Sequence, residues 1–267
     1  MDALGFYDGL GDDYDQMVNW ETRLAREEAF FERLFDETGT RSVLDAACGT
    51  GMHAVAFARR GRESAGADLS PVMIGHAREN AAAAGVRVDF RLAGFGECAR
   101  AWPHPFDAVT CIGNSLPHLL DDASLGACLE DFAAALRPGG TLVIQNRNYD
   151  RVLRERQRFM PLSSRAEGEG ETLFLRLTDF PDGGNAERID FTIVTLKKRT
   201  GAWSQTVRTT PLRALRRATL ETALAAAGFV SISAYGNYAS APFDDPTSAD
   251  LVMVARRPAT ERGTSPL

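Results

Sequence analysis

Val43-Leu44-Asp45-Ala46-Ala47-Cys48-Gly49-Thr50-Gly51 is an apolar run that ends in small residues and opens into a helix-like stretch. Glycines at such a turn let backbone N–H groups approach a ligand at the carboxyl edge of a sheet, beside a helix N-terminus. An ordinary glycine-rich strand-to-helix turn would have the same composition. A Walker loop needs Gly-Lys-Ser/Thr, but Gly51 is followed by Met52. A dinucleotide fingerprint needs a third glycine where Ala54 stands, a change that relaxed fingerprints tolerate, so a pyrophosphate cofactor is less favoured. Asp68 follows Gly51 by 17 residues, at the end of the next predicted strand. A carboxylate there can accept hydrogen bonds from both ribose hydroxyls of a nucleoside, though it could also be a simple helix-preceding acid.

The elements that must position these residues follow from hydrophobic spacing. Leu24, Phe31, Leu34 and Phe35 recur among charges between Trp20 and about Thr38, which predicts an amphipathic helix covering the sheet. Apolar SVLDAA, helical Met52 to Arg60, apolar SAGADL, helical Pro71 to Ala84, strand-like VRVDFRL and FDAVTCI, helical Ser124 to Leu136 and TLVIQ then alternate. That rhythm predicts parallel strands with crossover helices. Ser70-Pro71 reads as a cap followed by proline at the first helical position, and Arg137-Pro138-Gly139-Gly140 as a helix stop turning into a strand. After Asn146 the pattern changes. TLFLRLTDF, ERIDFTIVTLKK and WSQTVRTTP, joined through Pro181 to Asn185 and Thr200-Gly201, predict a three-stranded antiparallel meander. A helix from about Leu212 to Ala227 and strands FVSISAY and ADLVMVARR resume the α/β pattern, and a polar, disordered tail is expected from residue 258. The organisation expected is therefore a leading lid or helix segment (1–40), a cofactor-binding core (41–146), an antiparallel insert on the acceptor side (147–211), a C-terminal completion of the core sheet (212–257) and the tail (258–267).

The 267 residues, 44% of them apolar, suffice for a packed core. Thirty Lys and Arg against 36 Asp and Glu give a net charge of −6, which supplies no global basic field for phosphates and disfavours a nucleic-acid partner. Cys48, Cys98, Cys111 and Cys128 form no C-x-x-C pair and have no His at ligand spacing, so neither metal nor disulfide framework is expected. The acidic start lacks the features of an export signal, and no apolar run is long enough for a bilayer. These readings together predict a cytoplasmic protein with no membrane partner.

VLDAACGTG, GADLS, FDAVTCIGNSLPHL and LRPGGTLVI resemble the class I S-adenosylmethionine-dependent methyltransferases, over nearly the whole chain. More narrowly, IGNSLPHL and NRNYD, followed by the antiparallel insert, resemble the glycine and sarcosine N-methyltransferase group. The fold this implies is α/β: a doubly wound, Rossmann-like, mostly parallel seven-stranded sheet with an antiparallel β insert after the fifth strand. S-adenosylmethionine would be the cofactor, leaving as S-adenosylhomocysteine. Ala47, Gly49 and Gly51 would line its methionine part, Asp68 would hold the ribose, and Leu69 and Met73 would flank the adenine. Gly94 and Phe95 stand where the family has Asn-Trp at the adenine, a departure that keeps ring stacking but loses a polar contact. Ile112 and His118 match positions near the cofactor, and Arg23, 20 residues before Val43, matches an arginine on the cofactor's carboxylate. Tyr7, Tyr14 and Trp20 would form an aromatic lid near the reacting methyl group.

Methyl transfer from a sulfonium is an in-line displacement, so holding the acceptor and excluding water matter more than a strong base, and no catalytic acid or base is assigned. By the same resemblance Arg147 would pair with an acceptor carboxylate and Asn114 would orient the amine, with Tyr7 on the acceptor side. Phe191 falls where the group has a tyrosine, and the insert otherwise matches poorly. A small-molecule N-methyltransferase acting on a glycine- or sarcosine-like amino acid is thus expected, with a natural-product tailoring N- or O-methyltransferase as the alternative. A protein or nucleic-acid methylase is disfavoured by the acidic charge, and a catalytically silent binding protein stays open. Relatives form homo-oligomers, although no residue here requires one.

Overall fold

The computed structural model describes residues 1–11, 13–167, 170–181 and 187–259. The chain opens with α1 (Ala3–Leu10), α2 (Asp13–Met17) and α3 (Trp20–Thr38). Next come β1 (Ser42–Ala46), α4 (Met52–Arg59), β2 (Glu63–Asp68), α5 (Pro71–Ala84), β3 (Asp89–Leu92), α6 (Cys98–Ala101), β4 (Phe106–Cys111), α7 (Asp122–Ala135) and β5 (Leu136–Arg147). After α8 (Tyr149–Glu155) follow β6 (Ser163–Glu167), β7 (Gly170–Asp179), β8 (Arg188–Arg199) and β9 (Ala202–Arg213). The chain then adds α9 (Arg217–Ala226), β10 (Val230–Tyr235) and β11 (Asp250–Arg256).

Seven strands form one sheet in the order β10-β11-β5-β4-β1-β2-β3. The ladders among β1 to β5 are parallel, and β11 runs antiparallel to both its neighbours. The chain winds outward from β1 through β2 to β3, then crosses to β4 and β5 on the other side. The carboxyl ends of β1 and β4 therefore flank the reversal point, where doubly wound sheets leave a crevice for ligands. Alternation along the strands serves both faces: Val43, Val143, Val252 and Val254 pack with Phe30, Phe31, Phe35 and Phe57, whereas Leu44, Leu142, Ile144 and Met253 pack with Leu129, Phe132 and Leu220 on the other face.

Local chemistry sets the helix ends nearest the crevice. In α5, Ser70 Oγ accepts from Met73 N–H at 3.0 Å, Pro71 takes the first turn, and Gly85 closes the helix in the left-handed region. Asn19 caps α3 by accepting from Thr22 N–H at 3.2 Å, and Glu27, Phe30 and Phe31 fall on its buried face. The N-terminal segment is wedged between core and insert, with Phe6 and Leu10 of α1 packing on Met73 of α5 and on Phe174 and Ile193 of the insert. Burying side chains of this size contributes roughly 1.5–3 kcal/mol each.

Several boundaries differ from expectation. The insert is a four-stranded antiparallel sheet, β6-β7-β8-β9, rather than a three-stranded one. Its extra strand, Ser163-Ser164-Arg165-Ala166-Glu167, is held on β7 by backbone pairing and has no apolar alternation to betray it. Leu212 belongs to β9, paired with Ile189, so the following helix starts at Arg217. The helix α8 was not anticipated; Asn148 starts it by accepting from Arg151 N–H at 3.1 Å. Arg137-Pro138-Gly139-Gly140 follows the end of α7 at Ala135, as expected of a helix stop, but already lies within β5, in a register break between the Phe106–Leu136 and Ala108–Thr141 pairs. The tail expected from residue 258 lies outside the described residues from residue 260 on, as does the Pro181–Asn185 turn beyond Pro181. Among the described residues no helix is long and apolar enough to cross a membrane.

Candidate active site

β1 ends in a tight turn in which Ala47, Gly49 and Gly51 all take positive φ, at 58°, 55° and 76°. At Gly51 the constraint is also steric. A Cβ there would stand 2.6 Å from the Phe90 ring and 2.8 Å from Ala77 Cβ, so only glycine lets α4 begin this close to β3 and α5. Gly51 therefore shapes the loop from behind, whereas Ala47, Cys48 and Gly49 line a cavity of about 400 Å³ at the crevice.

Asp68, at the end of β2, meets that loop. Gly49 N–H donates to Asp68 Oδ2 at 2.8 Å and Ser70 N–H to Oδ1 at 2.9 Å, leaving each oxygen lone-pair capacity for a further donor. Burial pushes the Asp68 carboxyl above its usual range, in spite of those two amides. Leu69, Met73, Gly94 and Phe95 line the same cavity, with Leu69 Cδ1 lying 3.3 Å from where a Gly94 Cβ would be. These faces suit a flat ring, with the Glu97 carboxylate, which accepts from Gly94 N–H through Oε2 at 2.8 Å, at its edge. Ser70 Oγ also donates to Asp8, which fastens α1 to the start of α5 at the cavity's edge.

At the other end, Arg23 reaches the cavity from α3. Its Nε donates to Glu27 Oε1 at 3.0 Å, its guanidinium lies 5.3 Å from the Trp20 ring centroid, and Glu27 Oε2 meets His53 Nε2 at 2.7 Å. Glu27 is only 1% exposed. Burial works to raise its carboxyl pKa, but His53 and Arg23 hold it below the ordinary range. Sequence reasoning missed Glu27 and His53, although the Arg23/Glu27 spacing of four on one helix was a usable signal. It also missed Asp15, which accepts from Trp20 Nε1 and Thr50 Oγ1, each at 2.6 Å, and so ties α2 to the glycine loop.

Ile112, Gly113 and His118, after β4, complete the cavity with Tyr7 and Tyr14. Tyr7 Oη and His118 Nε2 are 3.1 Å apart. Burial lowers the His118 pKa to about 4 and pushes the Tyr7 phenol up, so near neutral pH the contact joins a neutral imidazole and a protonated phenol. Asp45, beneath the loop, is another group the sequence reading passed over. Its Oδ1 accepts from Thr110 Oγ1 at 2.8 Å while Oδ2 is buried without a partner, and burial raises its carboxyl pKa to about 6.

A second cavity, of about 650 Å³, adjoins the first: Tyr7, Tyr14, Arg23, Gly113 and His118 line both. Arg147, Asn114, Phe191 and Asp250 line it from the insert side and the strand ends. Arg147 makes only long contacts to neutral groups, Thr178 Oγ1 at 3.3 Å and Gln157 Oε1 at 3.4 Å, and forms no ion pair among the described residues. Burial pulls its pKa below the usual guanidinium value. Asn114, expected to orient an amine, lines this cavity and is itself anchored, with one acceptor site and one donor hydrogen left over. Its Oδ1 accepts from Arg147 N–H at 3.0 Å and its Nδ2 donates to Tyr149 Oη at 2.9 Å, so it fixes the strand end from which Arg147 projects. Among the described residues no group of three or more His, Cys, Asp or Glu side chains is placed to hold a metal ion.

Residues 43–140 match the family model described as a methyltransferase domain. The glycine/sarcosine N-methyltransferase of Parasynechococcus marenigrum is 36% identical over 148 residues, 55% of this chain and 52% of that protein. The chain thus spans about half the length of the curated relatives it matches. An S-adenosylmethionine-dependent methyltransferase from Clostridium acetobutylicum superposes with a TM-score of 0.74 at 15% identity, over 95% of this chain and 99% of its own. A SAM-bound amino pentose methyltransferase from Micromonospora echinaspora, CalS10, superposes with a TM-score of 0.67 at 21% identity, over 90% and 92% of the two chains. The fold is that of the S-adenosylmethionine-dependent methyltransferases, in agreement with the resemblance carried by the sequence motifs.

Proposed function

We propose that this chain, which carries a methyltransferase domain at residues 43–140, transfers the methyl group of S-adenosylmethionine to the amine of a small acceptor resembling glycine or sarcosine. One observation carries the reading: a nucleoside-type cavity and a cavity containing an unpaired arginine share a wall at Tyr7, Tyr14, Arg23, Gly113 and His118. Asp68 supplies acceptors for ribose hydroxyls, the apolar end between Leu69 and Phe95 takes the adenine, and Arg23 pairs with the amino-acid carboxylate. When bound, S-adenosylmethionine supplies an electrophilic methyl on a sulfonium. The chain's own contribution is to hold the acceptor amine in line and dry: Arg147 takes the acceptor carboxylate, and α1 and α2 close over the shared wall.

The size of the second cavity favours one other reading, a tailoring enzyme whose amine or hydroxyl acceptor is larger than a simple amino acid. Four unpaired, buried cysteines accord with a reducing, cytoplasmic setting. Transfer of labelled methyl to glycine, sarcosine, dimethylglycine, other amino acids and larger amines tests the proposal. Labelled N-methyl amino acids support it; label only on larger amines or hydroxyls moves the assignment to a tailoring enzyme. Cofactor binding with no transfer to any acceptor contradicts both.

A further inference from the structure

Arg147 does not stand alone in the acceptor cavity. Arg176, on β7, lines the same cavity. Thr178, whose hydroxyl contacts Arg147, lies two residues along β7 and so on the same face as Arg176. Phe174, two residues the other way, packs into the cluster holding Phe6 and Ile193, so this face of β7 is turned inward. Arg176 Nη2 donates to Pro161 O and to Ser163 Oγ, each at 3.1 Å, while its Nε is buried without a partner. Neither arginine forms an ion pair among the described residues. By contrast, Arg23 and Arg26, which also line this cavity, each reach a carboxylate, sharing Glu27 Oε1 at 3.0 and 3.5 Å. The cavity's carboxylate, Asp250, accepts from Gln145 Nε2 at 2.9 Å and pairs with neither.

Two guanidiniums brought together in a part-buried cavity, with one donor left without an acceptor, are costly unless a ligand supplies the missing charge. Resting on the amine-methyltransferase reading above, we propose that the acceptor is an amine whose anionic part carries two negative charges, shared between Arg147 and Arg176. Planar, bidentate recognition of carboxylate or phosphate is the chemistry arginine is suited to. A dicarboxylic amino acid and a phosphorylated amine both satisfy it, and the volume of about 650 Å³ accommodates either.

The test is acceptor kinetics with glycine, ethanolamine, glutamate and phosphoethanolamine, for the wild type, Arg176→Met and Arg176→Lys, each checked for fold by its melting transition. In the wild type, kcat/KM for a dianionic acceptor should exceed that for glycine by roughly 30-fold or more. Arg176→Met should abolish that preference through KM, weakening the dianionic acceptors far more than glycine, and Arg176→Lys should restore part of it. Preference for glutamate over phosphoethanolamine, or the reverse, tells carboxylate from phosphate. Equal kcat/KM for glycine and both dianions, or a preference that survives Arg176→Met, overturns the inference while leaving amine methylation standing. If no amine is methylated, the earlier reading fails, and calorimetric titration of glutamate and phosphoethanolamine into protein loaded with S-adenosylhomocysteine still decides the inference. Binding weakened by Arg176→Met supports it, and no binding, or binding indifferent to that change, refutes it.

Discussion

Tyr7 Oη and His118 Nε2 meet at 3.1 Å on the wall shared by the two cavities, so a residue of the first helix is latched to the loop after β4. The latch joins the leading segment to the strand end from which the acceptor side is built.

Tyr7→Phe removes the hydroxyl and keeps the ring that packs edge-on against Phe6 and His118. A hydrogen bond of this kind contributes about 0.5–1.5 kcal/mol net. The variant should lose roughly two- to tenfold in kcat/KM with little change in melting temperature. An unchanged kcat/KM would show that the latch does not matter to turnover.

Near neutral pH the latch joins Tyr7 to a neutral His118. Its folded pKa of about 4 lies below the ordinary 6.5, so between these values the unfolded chain binds the extra proton. Stability from this group is therefore full above about pH 6.5 and is lost as pH falls toward 4, on the order of 3 kcal/mol in all. Asp45, raised from 3.8 to about 6, acts in the opposite sense, losing stability as pH rises through that window. The informative quantity is the difference in unfolding free energy between wild type and His118→Gln, which should grow from pH 4 to 6.5. A flat difference contradicts the assignment.

Gly51→Ala would place a Cβ against Phe90 and Ala77 at a φ of 76°. Strain and overpacking together should cost on the order of 2–5 kcal/mol, measured by denaturant unfolding. A loss below about 0.5 kcal/mol would mean the loop relaxes freely.

Asp68→Asn leaves one acceptor for Gly49, Ser70 and any ribose hydroxyl together. The dissociation constant of S-adenosylmethionine should rise roughly 10- to 100-fold by calorimetry. Undiminished affinity would remove Asp68 from the cofactor site.

What the sequence revealed and what it hid divide along physical lines. The spans of α3 and α5 were legible because a repeating apolar face, or a Ser-Pro start, marks them locally. The glycine loop and Asp68 were legible because strand ends and spacing place them at one sheet edge. β6 was hidden because its polar residues are held by backbone pairing to β7, and the end of β9 because Leu212 fits a helix face as readily as a strand. Arg176, Glu27 and His53 were hidden for another reason. Each looks like an ordinary surface residue until tertiary packing buries it, and the pairing or isolation of its charge is settled only then.

The most direct measurement is the steady-state kinetics of methyl transfer by Arg147→Gln, with the amino-acid acceptor and the cofactor varied separately. The account predicts an acceptor KM raised by roughly 30-fold or more with the cofactor's dissociation constant unchanged, because Arg147 lines only the second cavity. An unchanged acceptor KM, or equal losses for acceptors with and without an anionic group, would contradict it.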